Sequence, residues 1–120
     1  MKRVLIVDDS ISVGRQLGKI IAGAGEEFEV IGHAKNGAEA IQVHQVERPD
    51  IVCMDMNMPV MDGLTALRTL VAIDRDVKVV MVTSLGGVGE KYTEALKLGA
   101  KNVISKPFEP DNVLRILREL

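Results

Sequence analysis

"NGAE", residues 36–39, admits two opposite readings, and the fold turns on which is taken. Asn-Gly is ordinarily a hairpin signal, and an antiparallel turn here would make the following segment a strand. Asn36 can instead cap a helix, with Glu39 closing a capping box, and no second alternating strand follows. The spacing therefore predicts a helix near residues 37–47. With that helix in place, each gap between strand-like runs holds one helix.

Working outward, "VLIV" (4–7), "IVCM" (51–54), "VKVVMV" (77–82) and "VIS" (103–105) are rich in β-branched residues and too short for ordinary helices. They read as strands. "FEVIGHA" (28–34) alternates at its start, as an edge strand with one wet face does. Helical periodicity joins Val13, Leu17, Ile20, Ile21 and Ala24, then Leu64, Leu67, Leu70 and Val71. Val88, Tyr92, Ala95 and Leu96 mark a further helix, and Val113, Ile116, Leu117 and Leu120 the last. Strict strand-helix alternation demands a parallel sheet with right-handed crossovers and helices on both faces. The expectation is a doubly wound (βα)5 α/β domain.

Composition agrees and excludes several classes. A chain of 120 residues has room for one core and one domain. With 47% hydrophobic and 27% charged residues it suits an ordinary globular protein, and a net charge of -2 gives no field to draw nucleic acid. The apolar run after "MKR" is cut short by Asp8 and Asp9, so no signal peptide is read, and no segment is long enough to insert in a membrane. Cys53, alone in its strand, reads as a buried filler compatible with a reducing cytoplasm.

The polar residues gather at one rim. Asp8 and Asp9 follow the first strand, Asp55 the third, Thr83 and Ser84 the fourth and Lys106 the fifth, all at carboxyl ends where open parallel sheets bind ligands. If the order is 2-1-3-4-5, Asp9, Asp55 and Thr83 face one pocket and Lys106 reaches in from two strands away. Carboxylates about 4 Å apart repel by about 4 kcal/mol at an effective dielectric near 20, so a proton or a cation must enter. Magnesium, taking hard oxygen ligands from one or two carboxylates plus a phosphate, suits the set better than calcium, since no EF-hand loop is present. A carboxylate beside a metal, a hydroxyl and a lysine has the parts for phosphoryl transfer, with Asp55 as in-line nucleophile.

"VDDS" (7–10), "MDMNMPVMDG" (54–63), "VTS" (82–84) and "SKPF" (105–108), in that order and spacing, resemble the receiver domains of bacterial two-component response regulators, of the CheY-like kind. The resemblance spans essentially the whole chain. It implies a flavodoxin-like (CheY-like) five-stranded sheet of order 2-1-3-4-5 and a single receiver domain over residues 1–120. It implies phosphorylation of Asp55 by a sensor histidine kinase, in the cytoplasm. Magnesium would be held by Asp8, Asp9, Asp55 and the backbone carbonyl of Asn57. Thr83, Ser84 and Lys106 would bind the phosphoryl group, and the peptide before Pro107 would be cis. The face made by the fourth helix, fifth strand and fifth helix would meet a downstream protein, plausibly in chemotaxis. Two positions depart from the family pattern. Val103 stands where receivers commonly carry an aromatic switch residue, so an output through backbone shifts of the fourth helix is expected. Leu85 stands where a polar residue often lies near the water path, and its apolar side chain is expected to slow loss of the phosphoryl group.

Other readings compete on definite residues. Asp62 and Gly63 read as turn and helix-cap chemistry. His33 and His44 read as surface or partly buried structure, and Met54, Met56, Met58 and Met61 as core and loop packing, Met56 and Met58 bordering the site. "LGGVGE" (85–90) lacks the P-loop ending and reads as a loop free to move. An aspartyl phosphatase would want a carboxylate where Asn57 stands, and a flavin module a phosphate-cradling first loop where "DDSIS" places acids. A receiver cut from a larger effector regulator and a scaffold that is never phosphorylated complete the alternatives.

Overall fold

A computed structural model describes residues 1–84 and 90–120. The strands are β1 (Lys2–Val7), β2 (Phe28–Ala34), β3 (Ile51–Asp55), β4 (Lys78–Thr83) and β5 (Asn102–Ser105). Between and after them run α1 (Ile11–Ala22), α2 (Gly37–Glu47), α3 (Gly63–Ile73), α4 (Glu90–Leu98) and α5 (Pro110–Arg118). All strands are parallel, in the order β2-β1-β3-β4-β5. The CheY-like α/β architecture expected above is therefore present.

Strand pleating divides the interior into two cores. Leu5, Val52, Met54, Val79, Met81 and Val103 point to the face covered by Ala40 of α2, Leu67 and Leu70 of α3 and Ala95 of α4. The alternate residues Ile6, Cys53, Val80, Val82 and Ile104 meet Leu17 and Ile21 of α1 and Ile116 and Leu117 of α5. Both faces being covered explains the continuous apolar strands. Burial pushes the Cys53 thiol up to about 12, so it stays protonated and inert.

The Asn-Gly ambiguity resolves as a helix: Asn36 is the N-cap of α2 and its Oδ1 accepts the Glu39 N–H at 2.9 Å. Two expectations need correction. Leu96, placed on the inward stripe of α4, is exposed, and Ala95 alone of that pair enters the core. His44, read as surface or partly buried, is wholly buried. The buried positions of α2 are Gly37, Ala40 and His44, one face of the helix filled by a hydrogen, a methyl group and an imidazole. Gly37 is required there because a Cβ would lie 2.8 Å from the Ala66 Cβ on α3.

His44 Nε2 donates to Asp74 Oδ2 at 2.8 Å, at the C-cap of α3. This bond, chiefly, holds the Asp74 carboxyl below its usual range against desolvation, the next largest influence, with lesser help from the Asp76 N–H and the charge of Arg48. A depressed carboxyl contributes stability above its unfolded value and loses it as pH falls through the folded one. Asp74→Ala, which strands a buried donor, is expected to lower stability by about 1–3 kcal/mol near neutral pH. The deficit should shrink in acid, below about pH 4. Urea midpoints at the two pH values measure it; an unchanged deficit in acid would refute the carboxylate's part.

Candidate functional site

The first loop is built to aim acids at the sheet's centre. β1 ends at Val7, Ser10 caps α1 by accepting the Val13 N–H at 3.3 Å, and the two aspartates occupy the short connection between them. Asp8 is buried and Asp9 exposed. Asp8 Oδ1 accepts the Ser10 N–H at 2.8 Å, while its backbone N–H reaches the Ala34 carbonyl of β2 at 3.0 Å. Asp55, the last residue of β3, is buried one strand away. One carboxylate oxygen from each of Asp8, Asp9 and Asp55 lies within 4.8 Å of the other two, so the trio fits a metal site of hard oxygen donors.

Lys106 approaches from the far side. Its N–H is held by the Thr83 carbonyl at 2.8 Å, and the following bond to Pro107 is cis. From there Nζ stands 3.3 Å from Asp8 Oδ2 and 3.4 Å from Asp55 Oδ1, bridging the two buried acids. Thr83 is buried at the end of β4 and Ser84 exposed beside it.

Burial raises the Asp55 carboxyl above its usual range, and the Asp8 charge raises it further. The Lys106 charge and hydrogen bond, and the Asn57 backbone N–H donated to the carboxylate, pull the other way without cancelling the rise. A carboxyl raised on folding makes the protein lose stability as pH climbs from the unfolded value through the folded one. Asp55→Asn is therefore expected to be more stable than the native chain at neutral pH without divalent cations, with the gain fading as pH drops towards the unfolded carboxylate value. Thermal midpoints across pH in EDTA test this; a variant less stable at neutral pH contradicts it.

Between β3 and α3 the chain turns sharply. The Met61 N–H reaches back to the Pro59 carbonyl at 2.7 Å, and Val60 between them has φ of 69°. That is a γ-turn of the rarer, strained hand, on a β-branched residue that disfavours positive φ. Val60 is 83% exposed, so no packing compensates the strain. Val60→Gly is expected to stabilise the protein by about 1 kcal/mol, strain relief outweighing the added freedom of the unfolded chain. A urea midpoint that falls would refute it. Asp62 then caps α3, its Oδ1 accepting the Thr65 N–H at 2.7 Å, as its place before the apolar run indicated.

The structure thus brings together Asp8, Asp9, Asp55 and Lys106, with Asn57 and Thr83 adjoining through their bonds to Asp55 and Lys106. Val103 is buried in register with Met81, on the core face that carries α3 and α4. Leu85 and Val88 lie outside the described residues. Two neighbours of the site were not recognisable as such in the sequence: Gly14, and the His33 ring that fills the space above it, 3.0 Å from the Asp8 carbonyl. A glycine on the buried face of an amphipathic helix was the available signal.

The profile of the response regulator receiver domain matches residues 4–118. The chain belongs to that family. Receiver domains are regulatory phosphoacceptors, not turnover enzymes. This receiver is 41% identical over 119 residues to the chemotaxis protein CheY of Thermotoga maritima, covering 99% of this chain and 97% of the relative. It is 38% identical over 117 residues to that of Bacillus subtilis, covering 98% and 95%. Among solved structures it resembles CheY in the CheX-CheY-BeF3-Mg+2 complex from Borrelia burgdorferi, with TM-score 0.92, 35% identity and coverage of 98% and 87%. The response regulator domain of Thermotoga maritima CheB matches with TM-score 0.84 and 33% identity over 99% of this receiver and 92% of that chain. Among the described residues no helix is long and apolar enough to cross a membrane.

Proposed function

We propose that this receiver accepts a phosphoryl group on Asp55 from a sensor histidine kinase and, so modified, engages a downstream protein of chemotaxis through the face of α4, β5 and α5. The observation that carries the reading is the gathering of three carboxylates with Lys106 bridging Asp8 and Asp55. Asp8, Asp9, Asp55 and the Asn57 carbonyl would hold magnesium, which when bound supplies positive charge to the phosphoryl oxygens. An Asp55 carboxylate oxygen attacks phosphorus, the bond from phosphorus to the donor's nitrogen or oxygen breaks, and the donor leaves with that electron pair. Lys106 follows the negative charge from the carboxylate to the phosphoryl group, and Thr83 and Ser84 offer hydroxyl donors to its remaining oxygens.

The support for chemotaxis is the run of CheY relatives matched over nearly their full lengths. For magnesium it is the ion that accompanies CheY in the Borrelia burgdorferi complex. The same kinship supports a cytoplasmic setting. Labelling by acetyl phosphate with magnesium, lost in Asp55→Asn, is the test; a native chain that takes no label is a scaffold.

A further inference from the structure

The connection holding Asp8 and Asp9 has a second anchor that the phosphoryl chemistry does not use. His33, at the carboxyl end of β2, places Nε2 at 3.0 Å from the Asp8 carbonyl oxygen. A carbonyl only accepts, so Nε2 carries the proton in this bond whether or not the other ring nitrogen is also protonated. The imidazole lies against α1 where residue 14 is glycine. A Cβ there would stand 2.2 Å from His33 Cε1, 2.5 Å from Nε2 and 2.8 Å from Nδ1, too close for the ring to stay. Gly14 is buried in a helix interior, where glycine is less favourable than alanine. The ring fills the space that this small residue leaves.

The carbonyl so held belongs to the peptide that joins the two acids. The Asp8 N–H is tied to the Ala34 carbonyl, also of β2, so strand β2 grips the Asp8 backbone from both ends. Asp9 lies beyond the last ladder position of β1, and its side-chain direction depends on the plane of that peptide. We propose that His33, seated over Gly14, is a positioning residue that fixes the Asp8–Asp9 peptide and thereby aims the Asp9 carboxylate at the cation. This rests on the reading of the acidic trio as a magnesium site.

Isothermal titration of the intact chain with Mg2+ alone tests both levels. Asp9→Asn reports on the site: if the native chain takes up no Mg2+, or Asp9→Asn binds as well as native, the reading of the site fails whatever His33 does. With that control in place, His33→Leu and Gly14→Ala are each expected to bind Mg2+ about tenfold more weakly, as for groups that orient metal ligands without touching the ion. His33→Gln, which keeps a side-chain N–H donor, should stay within about twofold of native, a rescue that ring packing alone does not predict. The double variant His33→Leu with Gly14→Ala should be no weaker than either single one, because both remove the same bond. Native affinity in either single variant, folded by circular dichroism, overturns the proposal, as do fully additive losses. If neither variant folds, the native chain decides: Mg2+ should shift the His33 ring proton resonances and leave those of His44 in place, and an unmoved His33 overturns the proposal.

Discussion

Incubated with acetyl phosphate and Mg2+, the native chain is expected to gain one phosphoryl adduct by intact mass, and Asp55→Asn none. Three acids crowd the rim, so the choice among them needs a reason. Asp8 is committed, with Oδ1 to the Ser10 N–H and Oδ2 to Lys106. Asp9 is exposed at the edge of the trio, where water competes for its carboxylate. Asp55 is buried, carries a raised affinity for protons and stands 3.4 Å from the ammonium that would follow the transferred charge. Removing the cation with EDTA should abolish the adduct as completely as the substitution does. Loss of label in Asp55→Asn will not reflect unfolding, since the same change relieves a buried carboxylate and should raise the melting temperature at neutral pH in EDTA. An adduct undiminished in Asp55→Asn would assign the chemistry to another acid.

Gly63→Ala is expected to destabilise the fold by roughly 1–3 kcal/mol and to slow labelling by about a hundredfold. A Cβ on residue 63 would fall 2.2 Å from the Asp55 carbonyl oxygen and 2.8 Å from Met56 Cα, and backbone cannot swing aside as a side chain does. The Gly63 N–H also donates to the Met56 carbonyl at 3.0 Å, so the first turn of α3 is laid directly on the end of β3. Any relief must move residue 55 itself, and a displacement near 1 Å at a reacting group costs on the order of 10²-fold in rate. Urea midpoint and labelling rate should fall together; a stable variant that labels at the native rate would show that α3 can slide without disturbing Asp55.

The fold was legible because a sheet covered on both sides writes its strands as continuous apolar runs; four strands were readable for that reason, and the edge strand β2 by the alternation at its start. The acids and Lys106 were legible because a parallel sheet sends every carboxyl end to one rim. What escaped has a common cause: the partner is remote in sequence or the residue is small. The inward face of α2 is Gly37, Ala40 and His44, which no hydrophobic periodicity can display, and Asp74, which accepts the His44 Nε2 proton, comes 30 positions later. His33 read as surface or partly buried structure, and it is half-buried, but nothing near it in sequence pointed to its bond with the Asp8 carbonyl or its place over Gly14. The strained turn at Val60 contradicts the local preference of valine, so propensity pointed away from it. Leu96 shows the reverse error, an apolar residue at a plausible helical spacing that faces water.

The separation of the two cores by the sheet has a consequence for traffic around the molecule. α1 and α5 press on one side and α2, α3 and α4 on the other, with the strands as a wall between the two clusters. The readout face proposed above takes α4 from one side of that wall and α5 from the other, so a protein seated on it spans the β5 edge and touches helices of both clusters.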